Sequence, residues 1–142
     1  MVALVKPNRQ VYVLDVMRDR MDFPTLRKRI LEVAGKYRST VNLIEDAGSG
    51  SSLLQDLRHT IRLIGITPNG EKVVRFQAVT PLIEAGQVHL PARAPWLEPF
   101  RRELLSFPAS ANDDQVDAFS QLLNWVRNRP YSGPLQGRYS AT

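Results

Sequence analysis

Short runs of β-branched and apolar residues alternate along this chain with longer segments in which apolar residues recur at helical spacing. The series opens with a predicted hairpin, formed by residues 2–5 and 11–16 on either side of a turn at Lys6-Pro-Asn-Arg9. A helical pattern then separates each predicted strand from the next, and two helices end the series. Strands that alternate with helices predict an α/β fold, in which helices flank a mixed sheet.

Several of the helices carry start and stop signals. Asp22 is a typical capping residue, and Pro24 lies in the first turn of the helix that follows it. Pro81 should kink or break a helix predicted over residues 71–85, and Gly86 is a typical helix stop. The remaining predictions are strands at 40–44, 64–66 and 87–90, a helix over 96–106 and a last helix that begins at Asp113.

The length of 142 residues indicates a single domain. Pro, Gly, Ser and Tyr dominate from residue 128 onward, so we predict a folded domain over residues 1–127 and a flexible tail over 128–142. The absence of cysteine excludes disulfides and thiolate metal sites, and two distant histidines argue against a histidine-rich zinc site. We find no signal peptide and no apolar run long enough for a membrane span.

The charge of the chain favours a polyanionic partner. Nineteen basic residues stand against fourteen acidic ones, which gives a net charge of +5. Fifteen of the nineteen are arginine, whose planar guanidinium matches the oxygens of a phosphate. Two interpretations stay open at this point, a nucleic-acid surface and an ordinary solvated surface with surplus arginine.

Carboxylates collect at two places in the predicted fold. Glu45 and Asp46 end a predicted buried strand, and Asp113, Asp114 and Asp117 open the last helix. Ligands of open α/β sheets bind outside the carboxyl ends of the strands. An acidic strand end that faces acids on a nearby helix is typical of a site for Mg²⁺ or Mn²⁺, because these hard cations take oxygen ligands. The alternatives are a helix cap formed by the aspartates and a solvated strand-end acid.

Other candidate residues have simpler interpretations. The turn at Gly48-Ser-Gly50 lacks the lysine and the spacing of a phosphate-binding loop, so we expect a tight turn. Trp96 and Trp125 are expected to anchor the core. Lys72 and Arg75 are either contacts to a phosphate backbone or part of a solvated helix start.

Seven runs follow one another along the chain: Tyr12–Pro24, Leu43–Gly50, Glu71–Arg75, Glu84–Pro91, Ala94–Trp96, Glu103–Pro108 and Asn112–Ala118. Their order, together with the closing Asn-Asp-Asp-Gln-Val-Asp-Ala, resembles the C-terminal nuclease domain of phage terminase large subunits. The resemblance covers residues 10–126. It implies an RNase H-like fold and a metal-dependent endonuclease that cuts concatemeric viral DNA when packaging starts and ends.

The resemblance also assigns roles to residues. Members of the family place one catalytic acid on the first strand, one on a later strand and at least one at the last helix. Glu45 matches the second position, and the aspartates at 113, 114 and 117 occupy the motif of the third. We take Glu45, Asp114 and Asp117 as the catalytic acids, with Asp113 as a further metal ligand. The resemblance further implies that Lys72 and Arg75 are a DNA-binding pair.

Two positions depart from the family pattern. Asn112 stands where the family often has histidine. More importantly, the family's first strand and its acid should precede the Val11–Val16 strand, and none of the ten residues before it is acidic. Asp15 lies on what should be the second strand, so we do not assign it to the missing position. We therefore expect an RNase H-like mixed sheet that lacks the first strand, and an incomplete metal site.

Two hypotheses about function follow from this resemblance. The first is a Mg²⁺- or Mn²⁺-dependent DNA endonuclease domain of a phage or prophage terminase, whose activity is weakened or lost through truncation. The alternative is a non-catalytic DNA-binding or assembly module of a terminase-like protein. Either one implies double-stranded DNA and other terminase or portal components as partners, in the cytoplasm of a bacterial host. A homodimer would cover strand edges that the missing strand leaves unpaired.

Overall fold

The computed structural model describes residues 1–129 of the chain. Its elements are β1 (Val2–Val5), β2 (Val11–Asp15), α1 (Phe23–Tyr37), β3 (Asn42–Glu45), α2 (Ser49–Leu57), β4 (Leu63–Ile66), α3 (Lys72–Gln77), α4 (Thr80–Glu84), β5 (Val88–His89), α5 (Leu97–Ser106) and α6 (Asp114–Asn128). This order confirms the predicted α/β architecture. The predicted tail begins inside α6 at Asn128, and from residue 130 onward it lies outside the described residues.

The five strands form two separate groups. Strands β1, β2 and β5 form one mixed sheet in the order β1-β2-β5, in which β1 and β2 are antiparallel and β2 and β5 are parallel. Strands β3 and β4 pair in parallel as a second group, with Asn42 opposite Leu63 and Glu45 opposite Ile66. Parallel pairing requires a crossover between the strands, which α2 supplies. Glu45 therefore lies at the carboxyl end of this pair.

Local sequence signals place several helix boundaries. The side chain of Asp22 accepts a hydrogen bond from the amide of Thr25 at 2.9 Å and so caps α1. Hydrogen bonding from the side chain of Thr25, and then from its amide, lowers the pKa of Asp22. The predicted break at Pro81 is also confirmed, because α3 ends at Gln77 and Pro81 lies in the first turn of α4.

The hydrophobic core lies between the β1-β2-β5 sheet and helices α5 and α6. Val11 and Val13 of β2 face it, and Phe100, Phe119 and Leu123 fill it from the helices. The rings of Phe100 and Phe119 meet edge to face at 5.4 Å. Trp96 and Trp125 are partly buried and pack against this core. The core thus fixes α6, the helix at whose start the three candidate aspartates lie.

Strands β3 and β4 are less deeply packed. Each of their described residues is either half-buried or exposed. Leu53 and Leu57 of α2 are buried, and α2 contacts both strands. Within residues 1–129, none of the helices is long and apolar enough to cross a membrane.

Candidate active site

Glu45 ends β3 with an exposed side chain and is followed by a tight turn. Gly48 adopts φ of 54°, a left-handed conformation that glycine reaches without strain. Gly50 packs so closely on the main chain that a Cβ atom there would overlap the carbonyl oxygen of Glu45. The Glu45 carboxylate accepts a hydrogen bond of 2.8 Å from the side-chain amide of Gln121 in α6. The end of β3 therefore lies beside α6.

The start of α6 brings the aspartates beside α3. Asp113 precedes the helix, and Asp114 and Asp117 lie in its first turn. Lys72 Nζ lies 2.7 Å from Asp113 Oδ1 and 3.9 Å from Asp117 Oδ2. Arg75 donates to Asp117 at 2.5 Å, and both of these side chains are largely buried. Asp113 and Asp117 are thus joined through one ammonium group, and Asp117 has a second cation.

The carboxylates around Lys72 raise its pKa. A hydrogen bond to Asp113 raises the pKa of Lys72, and the charges of Asp113, Asp117 and Asp114 add to this effect. Asp114 is 73% exposed and lies 3.7 Å from a different cation, the guanidinium of Arg18. The predicted DNA-binding pair, Lys72 and Arg75, therefore faces the predicted acids within the same protein.

Glu103, a buried residue of α5, caps α6 from outside the helix. Its carboxylate accepts hydrogen bonds from the amide of Gln115 at 2.7 Å, the amide of Val116 at 3.1 Å and the side chain of Gln115 at 2.5 Å. Free amides at a helix start need acceptors, and a negative charge there is also favoured by the helix dipole. Among the described residues, the Asp113 side chain makes no capping hydrogen bond. The cap expected from the aspartates is supplied by Glu103.

The described residues do not form a metal centre as they are arranged. Carboxylate oxygens are the donors that Mg²⁺ and Mn²⁺ prefer, so the chemistry of the acids suits such an ion. Within residues 1–129, however, no three histidine or acidic side chains come together as a group that could hold a metal. Two carboxylates, those of Asp113 and Asp117, converge on one point, and Lys72 Nζ is the cation found there.

Sequence reasoning identified the acids but missed their partners. The structure brings Asp113 and Asp117 together around Lys72, brings Glu45 to Gln121 on the same helix, and leaves Asp114 with Arg18. Asp117 and Gln121 are four residues apart, and this spacing indicates that both lie on one face of α6. The chain sequence contains no comparable signal for Arg18 or Glu103, whose contacts depend on how β2 and α5 pack.

Comparisons with known proteins give one match. A family model described as the terminase RNase H-like domain matches residues 1–125, which is most of the chain. No curated protein and no solved structure matches the chain.

Proposed function

Since this chain belongs to the terminase RNase H-like domain family, we propose that it acts on DNA as the nuclease domain of a phage or prophage packaging terminase. The reaction class is hydrolysis of phosphodiesters in double-stranded DNA, assisted by Mg²⁺ or Mn²⁺. Other components of the packaging machinery are its proposed protein partners. The cytoplasm of a bacterial host is the proposed place of action.

The hydrogen bond between Glu45 and Gln121 is the main structural support for this proposal. Gln121 lies one helical turn from Asp117, so the contact places the acid at the end of β3 beside the acid-bearing turn of α6. We assign Glu45, Asp114 and Asp117 as catalytic acids and Asp113 as a further metal ligand. A bound divalent ion would activate water and stabilise the leaving oxygen. To reach Asp113 and Asp117, such an ion must first displace Lys72.

The ion pairs favour one alternative function. Asp113, Asp114 and Asp117 each have a basic partner within 4 Å. An arrangement that is already charge-compensated is the one expected of a non-catalytic DNA-binding or assembly module. In such a module the basic surface persists without a metal centre. Strand β1 and the β3–β4 pair have open edges within residues 1–129, so a homodimer by strand pairing is compatible with either function.

Nicking of supercoiled plasmid in the presence of Mn²⁺ tests the proposal. We expect weak Mn²⁺-dependent nicking, because the acids are paired with cations, and a decrease of about tenfold or more in Glu45→Gln. The amide oxygen of glutamine keeps an acceptor for Gln121 while the charge is lost. Glu32→Gln on α1 is the matched control, and its nicking rate should stay at that of the parent. DNA binding without any Mn²⁺-dependent nicking would instead establish the non-catalytic alternative.

Replacing Lys72 with methionine is expected to raise the affinity of the acids for Mn²⁺ about fivefold. This factor corresponds to the loss of one partly exposed ion pair, which is worth at most ~1 kcal/mol. Paramagnetic broadening of the Asp113 and Asp117 amide signals during a Mn²⁺ titration measures the affinity. Lys28→Met, which removes an exposed partner of Glu32, should leave it unchanged. An affinity that Lys72→Met does not change would show that Lys72 and the ion do not compete.

A further inference from the structure

A cavity of about 490 Å³ opens between the end of β4, helix α3 and helix α6. Its size falls within the range of sites that bind small organic molecules. Ile66, Val74 and Ala78 give it apolar walls, and the indole of Trp125 adds an aromatic one. The cavity can therefore accept a flat and partly apolar group.

This cavity shares a wall with the acids of the candidate active site. Arg75 lines the cavity and donates a hydrogen bond to Asp117. Gln121 also lines the cavity and donates a hydrogen bond to Glu45. A ligand that fills the cavity thus lies one side chain away from two of the proposed catalytic acids.

The polar groups of the wall offer both a donor and an acceptor. The guanidinium of Arg127 lines the cavity and carries five N–H groups, one of which donates to the carbonyl of Ala78. Its other N–H groups are donors that a ligand can meet. The Asn124 amide nitrogen donates to the carbonyls of Arg75 and Ser120, which leaves its Oδ1 as an acceptor. A donor and an acceptor in one apolar cavity match the edge of a nucleobase.

The charge of the cavity matches a phosphate-bearing ligand. Among the described residues that line it, Arg75, Arg127 and Arg129 are basic and none is acidic. The guanidinium of Arg129 lies 4.4 Å from the centre of the Trp125 ring. Indole and guanidinium planes are surfaces on which bases of single strands are known to stack. Arg75 is already paired with Asp117, so Arg127 and Arg129 supply the charge for a ligand. A neutral ligand such as a peptide side chain would gain nothing from these two cations.

We infer that this cavity receives an unpaired base of a DNA strand, so that the phosphate next to that base lies beside Glu45 and Asp117. The inference rests on the proposed function and adds the form of the substrate. A base in a duplex is stacked and its pairing edge is occupied, so it must leave the helix to enter. Frayed or mismatched DNA should therefore enter the cavity most readily, and the proposed cleavage of double-stranded DNA would begin with local opening of the duplex.

Binding of an oligonucleotide that carries one 2-aminopurine tests this inference. In EDTA, which prevents any metal-dependent cleavage, the emission of a single-stranded probe should change saturably when the protein is added. Ala78→Met, which fills the cavity, should weaken binding about tenfold, because stacking of one base is worth that much or more. The same probe paired in a duplex should bind more weakly than the single strand.

Ala85→Met provides the matched control for Ala78→Met. Both alanines follow the last residue of a short helix, Ala78 after α3 and Ala85 after α4, but Ala85 is exposed and outside the cavity. Ala85→Met should bind within twofold of the parent chain. Equal binding by both variants, or equal affinity for the single-stranded and duplex probes, would overturn the inference.

A second pair of variants changes side chains that are largely exposed, so that the core is not altered. Val74 lines the cavity with 58% of its surface exposed, and Leu105 is 82% exposed elsewhere on the molecule. Val74→Glu should weaken binding of the single strand at least tenfold, and Leu105→Glu should have at most a small effect. A general charge effect would reduce binding equally in both variants and so contradict a specific cavity.

The experiments distinguish a failure of the base-binding inference from a failure of the proposed nuclease function. Mn²⁺-dependent nicking with no effect of Ala78→Met on binding would leave the proposed function standing and reject the inference. Cavity-dependent binding of the base without nicking would support the inference and reject the nuclease.

Discussion

Replacing Glu103 with alanine is expected to lower the free energy of unfolding by about 3 kcal/mol. The change leaves the amides of Gln115 and Val116 and the side chain of Gln115 without their acceptor. A buried donor without a partner costs about 1–3 kcal/mol, and losing a helix cap alone costs about 1 kcal/mol. Urea unfolding followed by tryptophan fluorescence measures the loss.

Two further variants show whether the buried cap is the cause. Glu98→Ala, on the same helix but 75% exposed and paired with Arg101, should cost less than about 0.5 kcal/mol. Glu103→Gln should fall between the two, because its amide keeps one acceptor oxygen for the start of α6. Similar losses for Glu98→Ala and Glu103→Ala would mean that Glu103 does not stabilise α6 as a cap.

Replacing Gly50 with alanine is expected to destabilise the protein by about 3 kcal/mol and to move Glu45. The added Cβ would overlap the Glu45 carbonyl oxygen and approach the side chain of Ile44 to 3.2 Å. Backbone atoms cannot move aside as a flexible side chain can, so the strain of overpacking falls on the turn itself. Thermal unfolding measures the destabilisation. Any Mn²⁺-dependent nicking should fall with it, since Glu45 immediately precedes that turn.

Gly35→Ala should have the opposite effect. Gly35 lies within α1, and apart from its chain neighbours and the backbone of its own helix, a Cβ there would meet no described atom within 4 Å. Alanine is favoured over glycine in a helix by about 0.5–1 kcal/mol, so this variant should be more stable than the parent. If both alanine variants changed stability in the same direction, close packing at Gly50 would not be the reason for its glycine.

Local sequence patterns predicted most of the elements. The hairpin has the predicted strands, with Val5 opposite Val11, because the turn and the β-branched runs are adjacent in sequence. The cap at Asp22 and the break at Pro81 are also decided within a few residues. Elements that depend on neighbours in sequence are the ones that single-sequence reasoning recovers.

Long-range choices could not be predicted in the same way. The sequence placed Asp113 at the start of α6, but the cap comes from Glu103, which reaches it only through the packing of α5 on α6. Likewise, Lys72 and Asp113 are 41 residues apart, and their contact depends on α3 lying against α6. The division of the strands into two groups is equally a matter of pairing that hydrophobic patterns leave open.

The shallow packing of β3 and β4 has a consequence for the motion of the site. Segments with few buried apolar contacts open by local unfolding at a lower free energy than the global core. Glu45 belongs to such a segment, whereas Asp117 belongs to α6, whose Phe119 and Leu123 are buried in the core. Amide hydrogens of β3 should therefore exchange with solvent sooner than those of α6. When β3 opens, the hydrogen bond between Glu45 and Gln121 breaks, while Asp117 stays in place on α6.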